Sequence, residues 1–428
     1  MAIYHYICRY INFLNMTAIV GVLNKHAVAI AADSAVTMGN THKVINCANK
    51  IFTLSKYHPV AVMTYNTASF MDIPWDIIIK EYRRQLKDTD FAHLRDYMND
   101  FIDYLHKRNF FCDDETQKDI LRKYLEIFLS ACISEIRTEK GLSPKAAIDP
   151  ADMEAKLKSC GALNTTSAKC PETASYSLDD FRKFALADIQ KIAKDYGIAN
   201  ADLLVESFYH YFTAQFSSND FTGLIFTGYG EEEIFPSLIS TKVSFGIDKF
   251  LKYYVDNEVE ITQNGTQASI IPFAQIDVTQ TIVRGIRPDF QEIISNVFSK
   301  TITDYSNVIT GILDKDPKTA GLSSAIKGLD LTGLIKNAAT QINREFRNKY
   351  TEPLINTVVL LDKEDMANMA ESFISLTSLV RRMTPGEETV GGPVDVAVIS
   401  KGDGFIWIKR KHYFAPELNA PFFSNYFK

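Results

Sequence analysis

The sequence predicts an α+β fold, one discontinuous domain of buried strands interrupted by helical insertions. Three observations predict it. Short apolar runs of strand character stand near both ends and in the middle of the chain. Amphipathic stretches with a period near 3.6 fill the gaps. The 428 residues are 46% hydrophobic and 23% charged, the composition of a folded chain able to bury a large core.

The elements follow in order. Residues 17–22 (T-A-I-V-G-V) and 27–32 (A-V-A-I-A-A) are continuous apolar runs separated by Leu23-Asn24-Lys25-His26, with Asn24 as the turn residue. They predict a buried hairpin. Residues 59–65 predict a third strand, and Asp72 with Pro74 marks a helix start. From about 76 to 141, Ile77, Ile78, Tyr82, Leu86, Leu94, Tyr97, Phe101 and Leu105 recur at helical spacing with charges between them. Residues 142–175, rich in Ala, Ser, Thr, Asn and Pro, predict a loop or a poorly ordered segment. Helix resumes over about 177–215 behind a Ser177 cap.

Strand character returns at 222–230, 237–245 and 258–261. A helical region is predicted over about 274–350, broken near 314–321. A strand at 355–361, a helix at 363–382 and two strands at 394–399 and 405–408 complete the chain; Ser400-Lys401-Gly402-Asp403-Gly404 reads as the turn between the last two.

Net charge is −6, which disfavours bulk binding of nucleic acid. The one compact basic cluster, Lys409-Arg410-Lys411-His412, reads as a solvated strand end. Six dispersed cysteines match no disulfide or zinc framework and predict structural thiols in a reducing compartment. The eight histidines show no ligand spacing, so neither metal nor organic cofactor is expected. No apolar stretch reaches the roughly 18 residues of a membrane span. The apolar opening segment has no basic start, contains Arg9 and lacks a cleavage pattern, which predicts a cytoplasmic protein. Gly228-Tyr229-Gly230 before Glu231-Glu232-Glu233 is not a phosphate loop, and the many Tyr and Phe residues read as packing.

The chemistry centres on Thr17. A threonine hydroxyl is a weak nucleophile, and one way to activate it is the free α-amine of the same residue acting as base, at a pKa of about 7.7–8.0. That requires Thr17 to begin the mature chain. Either translation starts at Met16 and this methionine is removed, or residues 1–16 are a propeptide. Around Thr17, four features fall in order: Gly21 in T-A-I-V-G-V, Ala31-Ala32-Asp33-Ser34, Thr37-Met38, and Lys50-Ile51-Phe52. With helix 363–382 and the run Gly391-Gly392-Pro393-Val394-Asp395-Val396, they resemble the proteasome β subunit and its bacterial relatives among the N-terminal-nucleophile (Ntn) hydrolases. The resemblance spans about 17–80, 221–290 and 354–412.

This resemblance implies a four-layer αββα Ntn-hydrolase sandwich over 17–428, with helical insertions at about 81–220 and 291–350. It implies that Thr17 is the nucleophile, that Lys50 favours its ionised form and that Asp33 holds Lys50. The oxyanion donor falls at the backbone of Asn66, where the family has glycine. Glu387 stands in weakly for a supporting aspartate, Val390 occupies the place of a serine, and the other supporting serine falls in the region of Asp277 and Thr279. The implied activity is threonine-type cleavage of peptide or unfolded-protein substrates by a homo-oligomer, a ring in similar proteins, with any partner ATPase unspecified. Two alternatives are a catalytically silent scaffold and an amidase for small amides. Separately, Thr17 can be read as a strand start, Asp33 as a turn cap and Lys50 as a surface lysine.

Overall fold

In the first hairpin, β1 (Ala18–Asn24) and β2 (Val28–Ala32) are buried along their whole length. Asn24 closes the turn: its Oδ1 accepts the N–H groups of His26 at 2.8 Å and Ala27 at 3.3 Å. The computed structural model describes residues 17–38, 43–215, 221–316, 318–384, 390–421 and 424. Next come β3 (Val36–Met38), β4 (Lys43–Ile45), β5 (Ile51–Thr53), β6 (Val60–Asn66), β7 (Ser69–Phe70) and β8 (Ile73–Pro74). Six helices follow: α1 (Trp75–Leu86), α2 (Leu94–Lys107), α3 (Asp114–Glu139), α4 (Pro150–Thr166), α5 (Leu178–Asp195) and α6 (Ala201–Thr213).

Strands β9 (Thr222–Gly228), β10 (Ser237–Ile247), β11 (Phe250–Glu260) and β12 (Ala268–Ala274) precede a second helical set. That set is α7 (Asp277–Arg284), α8 (Pro288–Leu313), α9 (Ala320–Lys327), α10 (Leu331–Phe346), α11 (Glu352–Leu360) and α12 (Lys363–Met383). The hairpin β13 (Asp395–Ser400) and β14 (Gly404–Lys409) ends the regular structure.

The fold is a mixture of helices and antiparallel sheets. One five-stranded sheet has the order β12-β1-β2-β13-β14, the other β11-β10-β9-β6-β5. Strand alternation assigns their faces. Ile19, Ile30 and Ala397 of the first sheet share one apolar cluster with Ala61, Met63 and Ile225 of the second. Their neighbours point the other way. Val20, Ala29 and Val396 pack with Val358 of α11 and Ala370, Phe373 and Ile374 of α12. Val62, Leu224 and Phe226 pack with Trp75, Tyr82, Phe101 and the other large side chains of α1–α6. The sheets approach closely at Gly21, where an added Cβ would lie 3.1 Å from Leu238 Cδ1. Burying each large aliphatic or Phe side chain in such clusters contributes about 1.5–3 kcal/mol.

Two expectations are corrected. Residues 150–166 form α4 rather than a loop. Asp149 caps this helix by accepting the Ala151 N–H at 2.8 Å, Pro150 sits in its first turn, and Met153 and Leu157 are buried beneath it. The apolar run 355–361 lies largely within helix α11 rather than forming a strand: it turns Val358 into the cluster under β1 and β2. Short apolar runs do not discriminate between the two structures by periodicity. Helix α8 differs from both, with Thr310 its one buried residue and Phe290, Ile293, Val297 and Tyr305 each more than half exposed. Among the described residues no helix is long and apolar enough to cross a membrane.

Candidate functional site

Asp33 follows the last residue of β2 at the point where the hairpin returns beside the start of β1. Its N–H donates to Ala18 O at 3.1 Å, and its Oδ1 accepts the Ala18 N–H at 2.9 Å. The carboxylate therefore grips the peptide link that joins Thr17 to Ala18. Asp33 Oδ2 accepts from the N–H groups of Ala35 at 3.1 Å and Gly391 at 3.3 Å. Lys50, immediately before β5, completes the set: its Nζ donates to Asp33 Oδ1 at 2.7 Å and to Ala35 O at 2.6 Å. Such charge-assisted hydrogen bonds are among the stronger ones in proteins.

Both charged groups are buried, as is Thr17. Burial lowers the pKa of Lys50 from its ordinary value. The nearby Asp33 carboxylate opposes this by its charge and hydrogen bond, Lys411 reinforces the lowering, and Asp395 opposes it. Chemically, the arrangement fixes an ammonium group and a fully hydrogen-bonded carboxylate against the backbone of a buried threonine.

Asp395 and Lys411 form a second ion pair near the first, and the sequence reading missed it. Asp395 begins β13 opposite Ala32 of β2, next to Asp33 in the chain. Its Oδ1 accepts the Lys411 N–H at 2.8 Å and its Oδ2 takes the Lys411 ammonium. Lys411 is thus not the solvated strand end expected from the basic cluster; its side chain is 11% exposed. The available signal was Asp395 itself, a carboxylate inside an otherwise apolar buried strand, which requires a partner.

The turn before β13 packs on the same corner. Ser34 N–H donates to Gly391 O at 3.1 Å, and Ser34 Oγ donates to Pro393 O. Gly392 has φ +75°, and a Cβ there would lie 2.9 Å from Asn46 Cβ and 3.2 Å from Ser34 Cβ. Only glycine fits both demands.

Asn66 ends β6 with φ +70°, the left-handed region that asparagine tolerates. Its Nδ2 donates to Phe221 O at 2.7 Å. The same strand meets the site at Thr64, whose N–H donates to Lys50 O at 2.9 Å. Thr17 O accepts the Gln275 N–H at 3.1 Å. Arg381 of α12 clamps Gln275 and Asp277, and Thr279 is buried two residues further along α7. Glu387 and residues 1–16 lie outside the described residues. Among the described residues no group of three or more His, Cys, Asp or Glu side chains is placed to hold a metal ion.

No family model matches the chain, and no curated protein matches it. Solved structures that align with it include Anbu (ancestral beta-subunit) from Yersinia bercovieri, 9% identical, covering 95% of this chain and 94% of that one at a TM-score of 0.29. Two structures of Anbu from Hyphomicrobium sp. strain MC1, one a Gly-1 mutant, are also 9% identical. Each covers 96% of this chain and 91% of the other, with a TM-score of 0.29. At that TM-score the likeness adds nothing to the fold or chemistry described above. The assignment to the proteasome β-subunit family is corrected, because no family model carries it.

Proposed function

We propose that this chain is a threonine-type hydrolase that cleaves peptide bonds, with Thr17 as its nucleophile once residues 1–16 are removed. The observation that carries the reading is the buried Lys50–Asp33 pair, 2.7 Å apart, with Asp33 also hydrogen-bonded to the Ala18 N–H. A buried lysine needs a partner for its charge, and here that partner, Asp33, also holds the Ala18 N–H, next to the residue whose hydroxyl and amine this chemistry uses.

In this mechanism the free Thr17 amine takes the proton from Oγ as Oγ attacks the scissile carbonyl carbon. The backbone N–H at Asn66 stabilises the tetrahedral oxyanion. The C–N bond then breaks, the leaving amine takes the proton, and water hydrolyses the Thr17 ester. Lys50 stabilises the oxygen anion of the nucleophile by its charge, and Asp33 holds Lys50 in position. Glu387 has a weak supporting place in this scheme.

The two facing sheets and the helices on their outer faces are read here as the αββα sandwich of this chemistry, with residues of about 81–220 and 291–350 inserted into it. The substrate is a peptide or unfolded protein, and the working form is a cytoplasmic homo-oligomer. A catalytically silent scaffold is the second reading. The burial of Thr17 in the unprocessed chain, 5% exposed, favours it.

Intact-mass analysis of the native protein, followed by assay on a panel of fluorogenic peptides, tests the proposal. The expected result is a chain beginning at Thr17 whose peptide cleavage disappears in Thr17→Ala. A chain that retains residues 1–16, or cleavage that survives Thr17→Ala, would overturn it.

A further inference from the structure

Outside this site, two thiols on adjacent helices face each other. Cys132 of α3 and Cys160 of α4 have their sulfurs 3.9 Å apart. Cys132 is 2% exposed, whereas Cys160 is half-buried and reachable from solvent. One turn before Cys160, Lys156 Nζ is held between Glu135 and Glu139 of α3, at 2.7 Å from each. An accessible sulfur, a buried partner sulfur in contact with it and a neighbouring ammonium together are the parts of a peroxide-reactive dithiol.

We propose that Cys160 is an oxidation site for hydroperoxides and that Cys132 resolves it into a disulfide joining α4 to α3. The Cys160 thiolate attacks one peroxide oxygen; an S–O bond forms, the O–O bond breaks, and the departing oxygen leaves as water after taking a proton. Cys160 is thereby oxidised to the sulfenic acid while the peroxide is reduced. Cys132 then loses its proton and attacks Cys160 Sγ. The S–S bond forms, the S–O bond breaks, and the hydroxyl leaves with that proton as a second water. Two thiols and one hydrogen peroxide thus yield one disulfide and two waters.

The local charges support this order of events. The contact with Cys132 lowers the Cys160 pKa, and the Lys156 ammonium adds to it against the opposing effects of burial, Glu135 and Glu139. The same contact with Cys160, followed by burial, raises Cys132. Cys160, the sulfur reachable from solvent, is the attacking thiolate, and Cys132, buried behind it, is the resolving thiol. The gap left to a bonded pair is about 2 Å.

The test exposes the native full-length chain to hydrogen peroxide, quenches it with iodoacetamide and maps tryptic peptides without reductant. The expected product is a disulfide-linked pair of peptides 124–137 and 159–169, lost on treatment with dithiothreitol. Cys160→Ser should abolish the pair and leave Cys132 reduced over the same exposure. Cys132→Ser should instead accumulate a dimedone-reactive sulfenic acid on Cys160. If Cys132→Ser fails to fold, the Cys160→Ser result still decides, because that substitution is on the solvent side. Oxidation of Cys160 to sulfinic acid while Cys132 stays reduced in the unmodified chain would overturn the proposal. So would oxidation of Cys132 in Cys160→Ser at an undiminished rate.

Discussion

Lys50 Nζ lies 2.7 Å from Asp33 Oδ1, and the two side chains are 4% and 1% exposed. A pair this deep is defined more by what its disruption costs than by what it adds. Removing one partner leaves the other charged and buried, typically a loss of about 3–5 kcal/mol, whereas replacing both by apolar groups is far milder. Lys50→Met and Asp33→Asn should each lower stability by about that amount in denaturant unfolding, and the double variant by clearly less than the sum. Additive losses would mean that the two groups are not coupled. Lys50→Arg separates stability from chemistry. It keeps a charge for Asp33 but alters the donor geometry beside Thr17, so peptide cleavage should fall at least tenfold while the unfolding midpoint moves little.

The neighbouring pair behaves differently because it is less enclosed. Lys411 is 11% exposed and Asp395 4%, and Asp395 keeps the Lys411 N–H at 2.8 Å whatever side chain Lys411 carries. Lys411→Met should therefore cost about 2 kcal/mol, less than Lys50→Met. It also removes a positive charge that lowers the Lys50 pKa, so the alkaline limb of any peptide-cleavage profile that depends on charged Lys50 should move to higher pH. An unchanged or acid-shifted limb would show that the two pairs do not communicate.

Gly392 tests the corner on which both pairs rest. Its φ of +75° disfavours any L side chain by about 1–2 kcal/mol, and a Cβ would press on Asn46 and Ser34. Gly392→Ala should lower stability by about 2 kcal/mol and displace the Gly391 N–H from Asp33 Oδ2. Peptide cleavage should drop with it. A fully active and stable Gly392→Ala chain would place the turn elsewhere.

Part of this corner was legible from local pattern. The β1–β2 hairpin reads directly from two apolar runs around Asn24, and Asp33 reads locally as a turn cap after the second, its link to Lys50 coming from the resemblance alone. Lys50 was not legible from local pattern, which reads it as a surface lysine although it is buried; only the resemblance singled it out. The Asp395–Lys411 pair was not legible either, since the two are brought together only by the register of β13 against β14 and lie 16 residues apart. Helix α11 was misread for a related reason. Its apolar face is chosen by the β1 and β2 side chains it covers, and no local turn residue advertises that face. Helix α4 was hidden by its small polar residues, although Asp149-Pro150 is a helix-start signal in plain view.

Lys252 yields the prediction with the clearest sign. It is buried in β11, and its Nζ donates to the carbonyls of Tyr211 at 2.6 Å, Phe212 at 3.0 Å and Ala214, at the C-terminal end of α6. The ammonium thus sits where the helix leaves its last carbonyls without intrahelical partners. Burial lowers its pKa from 10.5 to about 8, opposed by Cys170. Below pH 8 the native and unfolded chains both hold the proton, and the cost of burying the charge is constant. Between about 8 and 10.5 the unfolded chain keeps a proton that the native chain has released, so stability rises with pH over that window, by about 3 kcal/mol in all. Lys252→Met removes this titration together with the three hydrogen bonds. The difference in unfolding free energy between the unmodified chain and Lys252→Met should therefore grow from pH 8 to pH 10.5. A difference that stays flat or shrinks would mean that Lys252 remains charged in the fold, with the α6 carbonyls compensating its burial in full.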